Sequence, residues 1–205
     1  MLVWCVIVAA GSGTRFGGPK QFEQVAGLSV LQHSINAFAG LVDGLVLVMN
    51  PEHNAQINDV DQIVSGGLTR SDSVSNGLAA VPDNVDFVLV HDAARPLASS
   101  VLISRVISSL KNGSDAVVPV VPVSDSLRTV DGDYVDRAGF VAVQTPQGFK
   151  RKVLVDSYSS GRVATDDATL VADLGFVVDH VEGESINIKV TYPEDIKVCE
   201  ALLCS

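Results

Sequence analysis

The most regular feature of the sequence is a succession of strand-length apolar runs that alternate with segments of helical period. Near-continuous apolar runs are typical of strands buried on both faces, and apolar residues spaced three and four apart are typical of helices that cover a sheet. The pattern predicts strands at Leu2–Ala9, Leu45–Met49, Asp61–Ser65, Phe87–His91, Ala116–Val123, Val177–Val181 and Ile186–Lys189. It predicts helices at Val30–Phe38, Ser71–Val81, Ser99–Asn112, Lys150–Ser160, Asp166–Leu174 and Pro193–Leu203.

This alternation predicts an α/β fold, because parallel strands need helical connections between them. We expect a single Rossmann-like domain over residues 1–205, with a mostly parallel sheet flanked by helices. A chain of 205 residues is long enough for one sizeable core. Functional residues are then expected beyond the carboxyl ends of the strands.

A polar stretch at about residues 124–143 interrupts the alternation. Asp131, Gly132 and Asp133 stand between two strand-like segments, Leu127–Val130 and Tyr134–Asp136, and Asp-Gly is a strong hairpin-turn signal. An isolated two-stranded hairpin is only marginally stable in water. We therefore expect a protruding hairpin arm that packs on a second copy of the chain. Asp131 and Asp133 also have the spacing of a D-x-D metal motif, but their place in the turn favours the structural interpretation.

Composition narrows the class of protein further. The chain is 47% hydrophobic and 19% charged, which excludes a disordered class. Its apolar runs fall well short of the roughly 20 residues that a membrane-spanning helix needs. The N-terminus has no basic region before its apolar run, so we expect no signal peptide and a cytoplasmic, membrane-free protein.

Charge and cysteines exclude further classes of site. The net charge of −10 argues against nucleic-acid binding, which usually needs a basic face. Three cysteines without C-x-x-C spacing argue against a disulfide framework or a zinc site, so Cys5 and Cys199 are expected to be buried apolar residues and Cys204 to lie in the tail.

The loop after the first predicted strand, Gly11 to Gln21, is rich in glycine and carries Arg15 and Lys20. It fits neither of two well-known glycine motifs. Phe16 occupies the third glycine position of a dinucleotide fingerprint, and Pro19 occupies the lysine position of a Walker A loop. Glycines let backbone N–H groups approach an anion closely, and two cations can neutralise charge on a reacting phosphate. The sequence therefore predicts a phosphate-binding loop.

Four further motifs contain candidate functional residues. Val90 to Pro96 follows a predicted strand and places Asp92 where a lone carboxylate could bind Mg²⁺ together with substrate phosphates. His91 is expected to be structural, because no second His or Cys stands at metal spacing. The other three motifs are Gly66 to Val74, a segment with Arg137 and Thr145, and a segment with Lys189.

Taken in order, these motifs resemble the 2-C-methyl-D-erythritol 4-phosphate cytidylyltransferase family. The resemblance covers essentially the whole chain and rests on residues 9–15, 19–21, 91–96, 145–147 and 187–191. It implies a nucleotidyltransferase of the non-mevalonate isoprenoid pathway, in which CTP and methylerythritol phosphate give 4-diphosphocytidyl-methylerythritol and pyrophosphate. It also implies a Mg²⁺ requirement and a homodimer whose hairpin arm helps to complete the partner's site.

The resemblance also implies roles for individual residues. Arg15 and Lys20 would stabilise the transition state, Arg137 and Lys189 would position methylerythritol phosphate, and Asp92 would bind Mg²⁺. The residues expected to line the CTP site are Ala9, Ala10, Gly11, Gly13, Gly67, Ser73 and Ala93. The further substrate contacts are expected at Arg95, Ser126 and Thr145.

Two positions depart from the family pattern, and two alternative functions stay open. Leu68 stands where many relatives have a polar residue, and Ser126 stands where a Thr is usual. One alternative is a pentitol-phosphate cytidylyltransferase, such as a ribitol 5-phosphate enzyme, although Ala94 and the context of Arg137 favour the methylerythritol enzyme. The other is a non-catalytic nucleotide-binding module on the same fold. Because the chain ends at Ser205, we also expect no fused cyclodiphosphate synthase.

Overall fold

A computed structural model describes residues 1–50, 57–162 and 166–204. Within these residues, one sheet has eight strands: β1 (Val3–Val8), β4 (Gly44–Met49), β5 (Gln62–Ser65), β6 (Phe87–Asp92), β7 (Ala116–Pro122), β10 (Val141–Val143), β11 (Gln147–Lys150) and β12 (Val178–Glu182). Their order is β10-β7-β11-β6-β1-β4-β5, with β12 pairing along β7. Two short pairs lie outside it: β2 (Gln24–Val25) with β3 (Leu28–Ser29), and β8 (Leu127–Arg128) with β9 (Tyr134–Val135).

The parallel part of the sheet confirms the predicted fold class. Strand β1 pairs in parallel with both β4 and β6, and β4 pairs in parallel with β5. Successive residues of β1 point to opposite faces, so Cys5 and Ile7 belong to one apolar cluster and Val6 to another. Both faces are therefore buried, which explains the near-continuous apolar run in the sequence.

Helices cover both faces of the sheet. They are α1 (Val30–Asn36), α2 (Arg70–Ala79), α3 (Ser100–Lys111), α4 (Arg151–Ser159), α5 (Asp167–Ala172) and α6 (Glu194–Leu203). Side chains of α1 and α3 pack in one cluster, and those of α2, α4 and α5 pack in the other. Ser99 caps α3 by accepting the N–H of Leu102 at 3.0 Å.

Two strands of the eight-stranded sheet were not predicted from the sequence, and both run against the parallel set. Strand β11 lies antiparallel between β6 and β7. A Cβ atom on its Gly148 would stand only 2.6 Å from a methyl group of Val106 on α3, so glycine is needed where this helix crosses the strand. Strand β10 pairs antiparallel with β7, so the predicted arm ends before Val141.

The hairpin itself is present. Strands β8 and β9 pair antiparallel, and Gly132 in the turn has φ +96°. Asp131 and Asp133 lie in this turn, and the N–H of Asp133 donates to Thr129 Oγ1 at 3.0 Å. The arm projects exposed apolar side chains, among them Val130, Tyr134 and Phe140.

The predicted strand at Ile186–Lys189 is wrong. The N–H of Ile188 donates to Ile186 O at 2.7 Å, and the N–H of Val190 donates to Ala94 O at 2.8 Å. Asn187 is buried, and its side chain donates to Thr145 O at 3.0 Å. The segment is therefore an irregular crossing fixed by side-chain hydrogen bonds, because a buried Asn replaces the ladder partners that a strand would have.

The cysteines lie where the sequence predicted them. Cys5 and Cys199 are buried with free thiols, and Cys204 is exposed. In the part of the chain that the structure describes, no helix combines the length and the apolar character that crossing a membrane requires.

Candidate active site

A buried glutamine fixes the backbone of the glycine-rich loop after β1. The amide nitrogen of Gln21 donates to Ala9 O at 2.8 Å and to Gly11 O at 3.3 Å. Gly13 has φ +65°, and a Cβ atom there would lie 1.8 Å from Gly18 O. Only glycine fits this position, so the tight fold of the loop depends on Gly13.

A second turn, between β5 and α2, packs directly against this loop. A Cβ atom on Gly66 would stand 2.2 Å from that of Ala10, so the two turns meet at backbone distance. The N–H of Gly67 donates to Ser73 Oγ at 3.0 Å. Thr69 caps α2 in a reciprocal capping box with Asp72. These contacts fix the turn without any ligand.

A cavity of about 440 Å³ lies between the two turns and the carboxyl end of β6. A volume of this size suits a small-molecule ligand. Most of the residues predicted for the site line it, namely Ala9, Ala10, Gly11, Gly13, Arg15, Lys20, Gly67, Ser73, Asp92, Ala93 and Lys189. Leu68 also lines it, and its side chain is fully exposed at the rim.

Asp92 is the charged centre of the cavity, and its two oxygens have different cationic partners. Lys189 Nζ lies 2.5 Å from Oδ2, and Arg70 Nε lies 3.2 Å from Oδ1. Burial raises the pKa of Asp92, but the positive charges of Arg70 and Lys189 outweigh burial and hold that pKa well below its usual range. The carboxyl group is therefore ionised at neutral pH.

Arg70 connects this centre to a second buried carboxylate. Its Nη1 lies 2.9 Å from Oδ2 of Asp167, whose side chain is 1% exposed. The hydroxyl of Tyr158 donates to the other oxygen of Asp167. Burial lowers the pKa of Arg70, but the two carboxylates outweigh it and raise that pKa above its ordinary value. The guanidinium is therefore charged and held between Asp92 and Asp167.

Lys20 and Arg15 supply further positive charge to the same cavity. Burial lowers the pKa of Lys20, and the neighbouring charges of Lys189 and Arg15 lower it further. Such mutual repulsion is expected where cations have been collected in one place, and an anionic ligand would relieve it. The cavity is thus a local cationic site in a chain of net charge −10.

Thr145 and Arg95 lie behind the cavity rather than in it. Thr145 is buried, and its Oγ1 accepts the N–H of Asp92 at 3.1 Å. Arg95 Nη1 donates to Asn187 O at 2.7 Å, which fixes the segment that leads to Lys189. Both predicted residues therefore position cavity residues in this chain.

Arg137 and Ser126 are the predicted residues that the fold does not bring to the cavity. Both are exposed on the arm. Arg137 begins a single 3-10 turn, Arg137–Gly139, and its guanidinium donates to Ser124 O. Neither lines the cavity of its own chain, so a direct role for them needs a second copy.

Several residues of the site were not predicted from the sequence. Arg70 lies within the motif Gly66 to Val74, but nothing in that motif indicates its pairing with Asp92. Asp167 follows its helix cap Asp166 directly and resembles an ordinary first-turn acid. Gln144 and Asn187 are buried amides whose partners are distant in sequence. No local pattern could have assigned these contacts, because each depends on tertiary packing.

The family comparison agrees with this geometry. A family model described as IspD, 2-C-methyl-D-erythritol 4-phosphate cytidylyltransferase, matches residues 3–205. The chain belongs to this family.

Individual members of the IspD family are similar over nearly the whole chain. The 2-C-methyl-D-erythritol 4-phosphate cytidylyltransferase of Nocardia farcinica is 40% identical over 216 residues, which cover 98% of this chain and 94% of that protein. The bifunctional enzyme IspD/IspF of Nitratidesulfovibrio vulgaris strain DP4 is 40% identical, but the chain spans only 58% of its length. The crystal structure of the Thermus thermophilus 2-C-methyl-D-erythritol 4-phosphate cytidylyltransferase has a TM-score of 0.88 at 36% identity, and the match covers 100% of both chains.

The donor atoms of this IspD-family cavity suit a magnesium ion that arrives with phosphates. Among residues 1–50, 57–162 and 166–204, no group of three or more His, Cys, Asp or Glu side chains could hold a metal by itself. Mg²⁺ characteristically uses one or two carboxylates together with substrate phosphates. Asp92 supplies one ionised carboxylate to the cavity, and a nucleotide would supply the remaining oxygens.

Proposed function

We propose that the protein transfers CMP from CTP to 2-C-methyl-D-erythritol 4-phosphate, giving 4-diphosphocytidyl-2-C-methyl-D-erythritol and pyrophosphate. The observation that carries the proposal is the meeting of Lys20, Lys189 and Asp92 in one cavity bounded by the glycine-rich loop. Membership of the IspD family supports the choice of substrates. The pathway is then non-mevalonate isoprenoid biosynthesis.

The proposed step is a direct substitution at phosphorus. A phosphate oxygen of methylerythritol phosphate attacks the α-phosphorus of CTP, the bond from that phosphorus to the bridging oxygen breaks, and pyrophosphate leaves with the electron pair. The second pKa of a phosphate monoester is about 6, so the attacking group is largely dianionic at neutral pH and needs no general base. The protein must supply positioning and charge neutralisation.

The cavity residues divide these tasks. Lys20 and Arg15 neutralise the negative charge that builds on the α-phosphate in the transition state. The backbone of Ala10, Gly11 and Gly13 approaches the phosphates of CTP, as a glycine-rich loop allows. The remaining contacts to the nucleotide come from Ala9, Gly67, Ser73 and Ala93.

Asp92 would hold Mg²⁺, which supplies positive charge to the phosphates when bound. In the structure, Lys189 Nζ donates to Oδ2 of Asp92 at 2.5 Å. Lys189 therefore lies beside the proposed metal position. When Asp92 exchanges Lys189 for Mg²⁺, the ammonium group can turn to the phosphate of methylerythritol phosphate. Until a ligand binds, the charges of Asp92 and Lys189 balance each other.

We also propose that the protein works as a cytoplasmic homodimer. Arg137 and Ser126 lie on an exposed arm with apolar side chains, and their own chain's cavity does not include them. In a dimer, the arm would bury these apolar side chains and carry Arg137 to the partner's cavity, where it would bind methylerythritol phosphate. Arg95 and Thr145 contribute by positioning Lys189 and Asp92.

Pyrophosphate release tests the proposal. The purified protein with CTP and Mg²⁺ is given methylerythritol phosphate in one series and ribitol 5-phosphate in another. We expect release with methylerythritol phosphate. Release with ribitol 5-phosphate alone would assign the protein to the pentitol-phosphate enzymes, and binding of CTP without release in either series would identify a non-catalytic module.

A further inference from the structure

A fully buried carboxylate lies next to the cavity, and the proposed reaction leaves it without a role. Asp167 is the first residue of α5 and has no exposed surface. Its oxygens face Arg70 Nη1 at 2.9 Å and the hydroxyl of Tyr158. A buried charge costs several kcal/mol unless it is paired and hydrogen-bonded. Asp167 and Arg70 therefore constrain each other strongly, because removing Arg70 would leave Asp167 buried without its cationic partner.

Arg70 transmits that constraint to Asp92. Its guanidinium uses one edge for Asp167 and places Nε 3.2 Å from Oδ1 of Asp92. A guanidinium is planar and presents its donors in a fixed fork, so two contacts fix its orientation in a way that an ammonium group cannot. Thr69 caps α2 and so fixes the backbone at Arg70, the first residue of that helix.

The contact also determines which oxygen of Asp92 is available. Arg70 holds Oδ1 and is itself paired with Asp167, whereas Oδ2 faces Lys189. The N–H of Asp92 is held separately by Thr145 Oγ1 at 3.1 Å. The carboxylate therefore cannot rotate freely, and Oδ2 becomes available to a ligand when Lys189 moves.

We infer that Arg70 and Asp167 are positioning residues for Asp92, and that together they tune its affinity for the magnesium ion that accompanies CTP. The inference rests on the proposed function, because it assigns Asp92 the task of holding that ion. Partners that orient a metal ligand typically change metal affinity or activity by about 10- to 100-fold when they are mutated.

The direction of the effect follows from the geometry. In Asp167→Asn, the guanidinium loses its second anion and can turn two donors onto Asp92, where it competes with a cation. In Arg70→Lys, the ammonium group can contact one carboxylate but cannot bridge both in a fixed plane. Both changes should weaken the metal-dependent part of nucleotide binding and spare the part that depends on the glycine-rich loop.

Calorimetric titration separates the metal-dependent part of nucleotide binding from the part that depends on the glycine-rich loop. The full chain is titrated with an unreactive CTP analogue in which a methylene group replaces the α,β-bridging oxygen. Each variant is titrated with excess Mg²⁺ and again with EDTA. We expect the ratio of the two affinities to fall about 10-fold or more in Asp167→Asn and Arg70→Lys. Tyr158→Phe, which removes one hydrogen bond to Asp167, should lower the ratio less.

Arg151→Lys is the matched control. It changes another arginine–aspartate pair, with Asp83 at 2.5 Å, in which Asp83 is fully exposed and neither residue lines the cavity. The ratio of its affinities for the CTP analogue with Mg²⁺ and with EDTA should equal that of the unmodified protein. Melting temperatures measured alongside show which variants are folded.

Two results would overturn the inference. One is an unchanged ratio in the folded variants. The other is an equal loss of affinity with and without Mg²⁺ together with a lower melting temperature, which would make Asp167 and Arg70 merely structural. If Asp167→Asn does not fold, Arg70→Lys and Tyr158→Phe decide by the same criterion. Failure of the proposed function is seen separately, because the unmodified protein would then release no pyrophosphate.

Discussion

Mild acid should destabilise this protein through one buried histidine, His91. The side chain has no exposed surface and lies edge-on to Phe38, with ring centroids 5.1 Å apart. Its Nε2 faces Arg95 O at 3.1 Å, and a carbonyl oxygen can only accept, so Nε2 carries the hydrogen. Nδ1 of the neutral ring then accepts from the hydroxyl of Thr145 at 3.1 Å. Protonation of Nδ1 would break this arrangement.

The magnitude follows from the pKa of His91 in the folded and unfolded chain. Burial lowers the pKa of His91 from 6.5 to about 4, against a smaller opposing effect of Asp92. Between these values the unfolded chain binds a proton that the folded chain does not, so stability is complete above the unfolded pKa and falls as the pH is lowered. The loss should be about 3 kcal/mol over the whole window and about 2 kcal/mol by pH 5.

Urea unfolding at about pH 7.5 and pH 5 measures this loss, at equal protein concentration. The same pair of measurements on His91→Gln removes the titration while keeping a side chain that can donate and accept. The difference between the two proteins isolates His91 from all other groups. His180→Gln, at an exposed histidine, is the control and should behave as the unmodified chain does. An equal loss of stability in the unmodified chain and in His91→Gln would refute the reasoning.

Three further predictions concern individual side chains. Lys20→Ala should lower kcat by about two to three orders of magnitude, the scale for losing one charge-stabilising donor; near-normal turnover would remove Lys20 from the mechanism. Arg137→Ala should mainly raise KM for methylerythritol phosphate in steady-state assays, and unchanged kcat and KM would leave it as a surface residue of the arm. A thiol reagent at pH 8 should label Cys204 fast and Cys5 and Cys199 slowly, because burial raises the pKa of Cys199 to about 11 and that of Cys5 well above its ordinary value; a fast phase that persists in Cys204→Ser would contradict this.

The sequence predicted those parts of the fold in which burial leaves a continuous pattern. Strands β1, β4 and β6 are apolar on both faces, and each was predicted to within a residue or so. Strand β11 was missed because its four residues, Gln147–Lys150, contain only one large apolar side chain. It is a strand because β6 and β7 provide partners on both sides, which is information that the local sequence does not contain.

The same distinction applies to the site: residues that belong to a local pattern were predicted, whereas contacts that depend on tertiary packing were not. The glycine-rich loop and Asp92 were predicted together because the loop follows β1 and Asp92 ends β6, and the carboxyl ends of parallel strands meet at one edge of the sheet. The ion pair of Arg70 with Asp167 joins two helix starts, and nothing in either local motif indicates the other. Arg137 on the arm is a different case. It was predicted from the family resemblance, but its own chain does not bring it to the cavity, so its position relative to a cavity depends on a second chain.

The concentration of positive charge around Lys20 and Lys189 has a consequence for the kinetics of ligand association. The chain as a whole carries a net charge of −10, so an approaching polyphosphate is repelled at long range and attracted only near the cavity. At physiological ionic strength, exposed charges are screened beyond about 8 Å, which suppresses the repulsion more than the short-range attraction. Association should therefore speed up as salt rises from very low concentration and slow again when the local cations are screened as well.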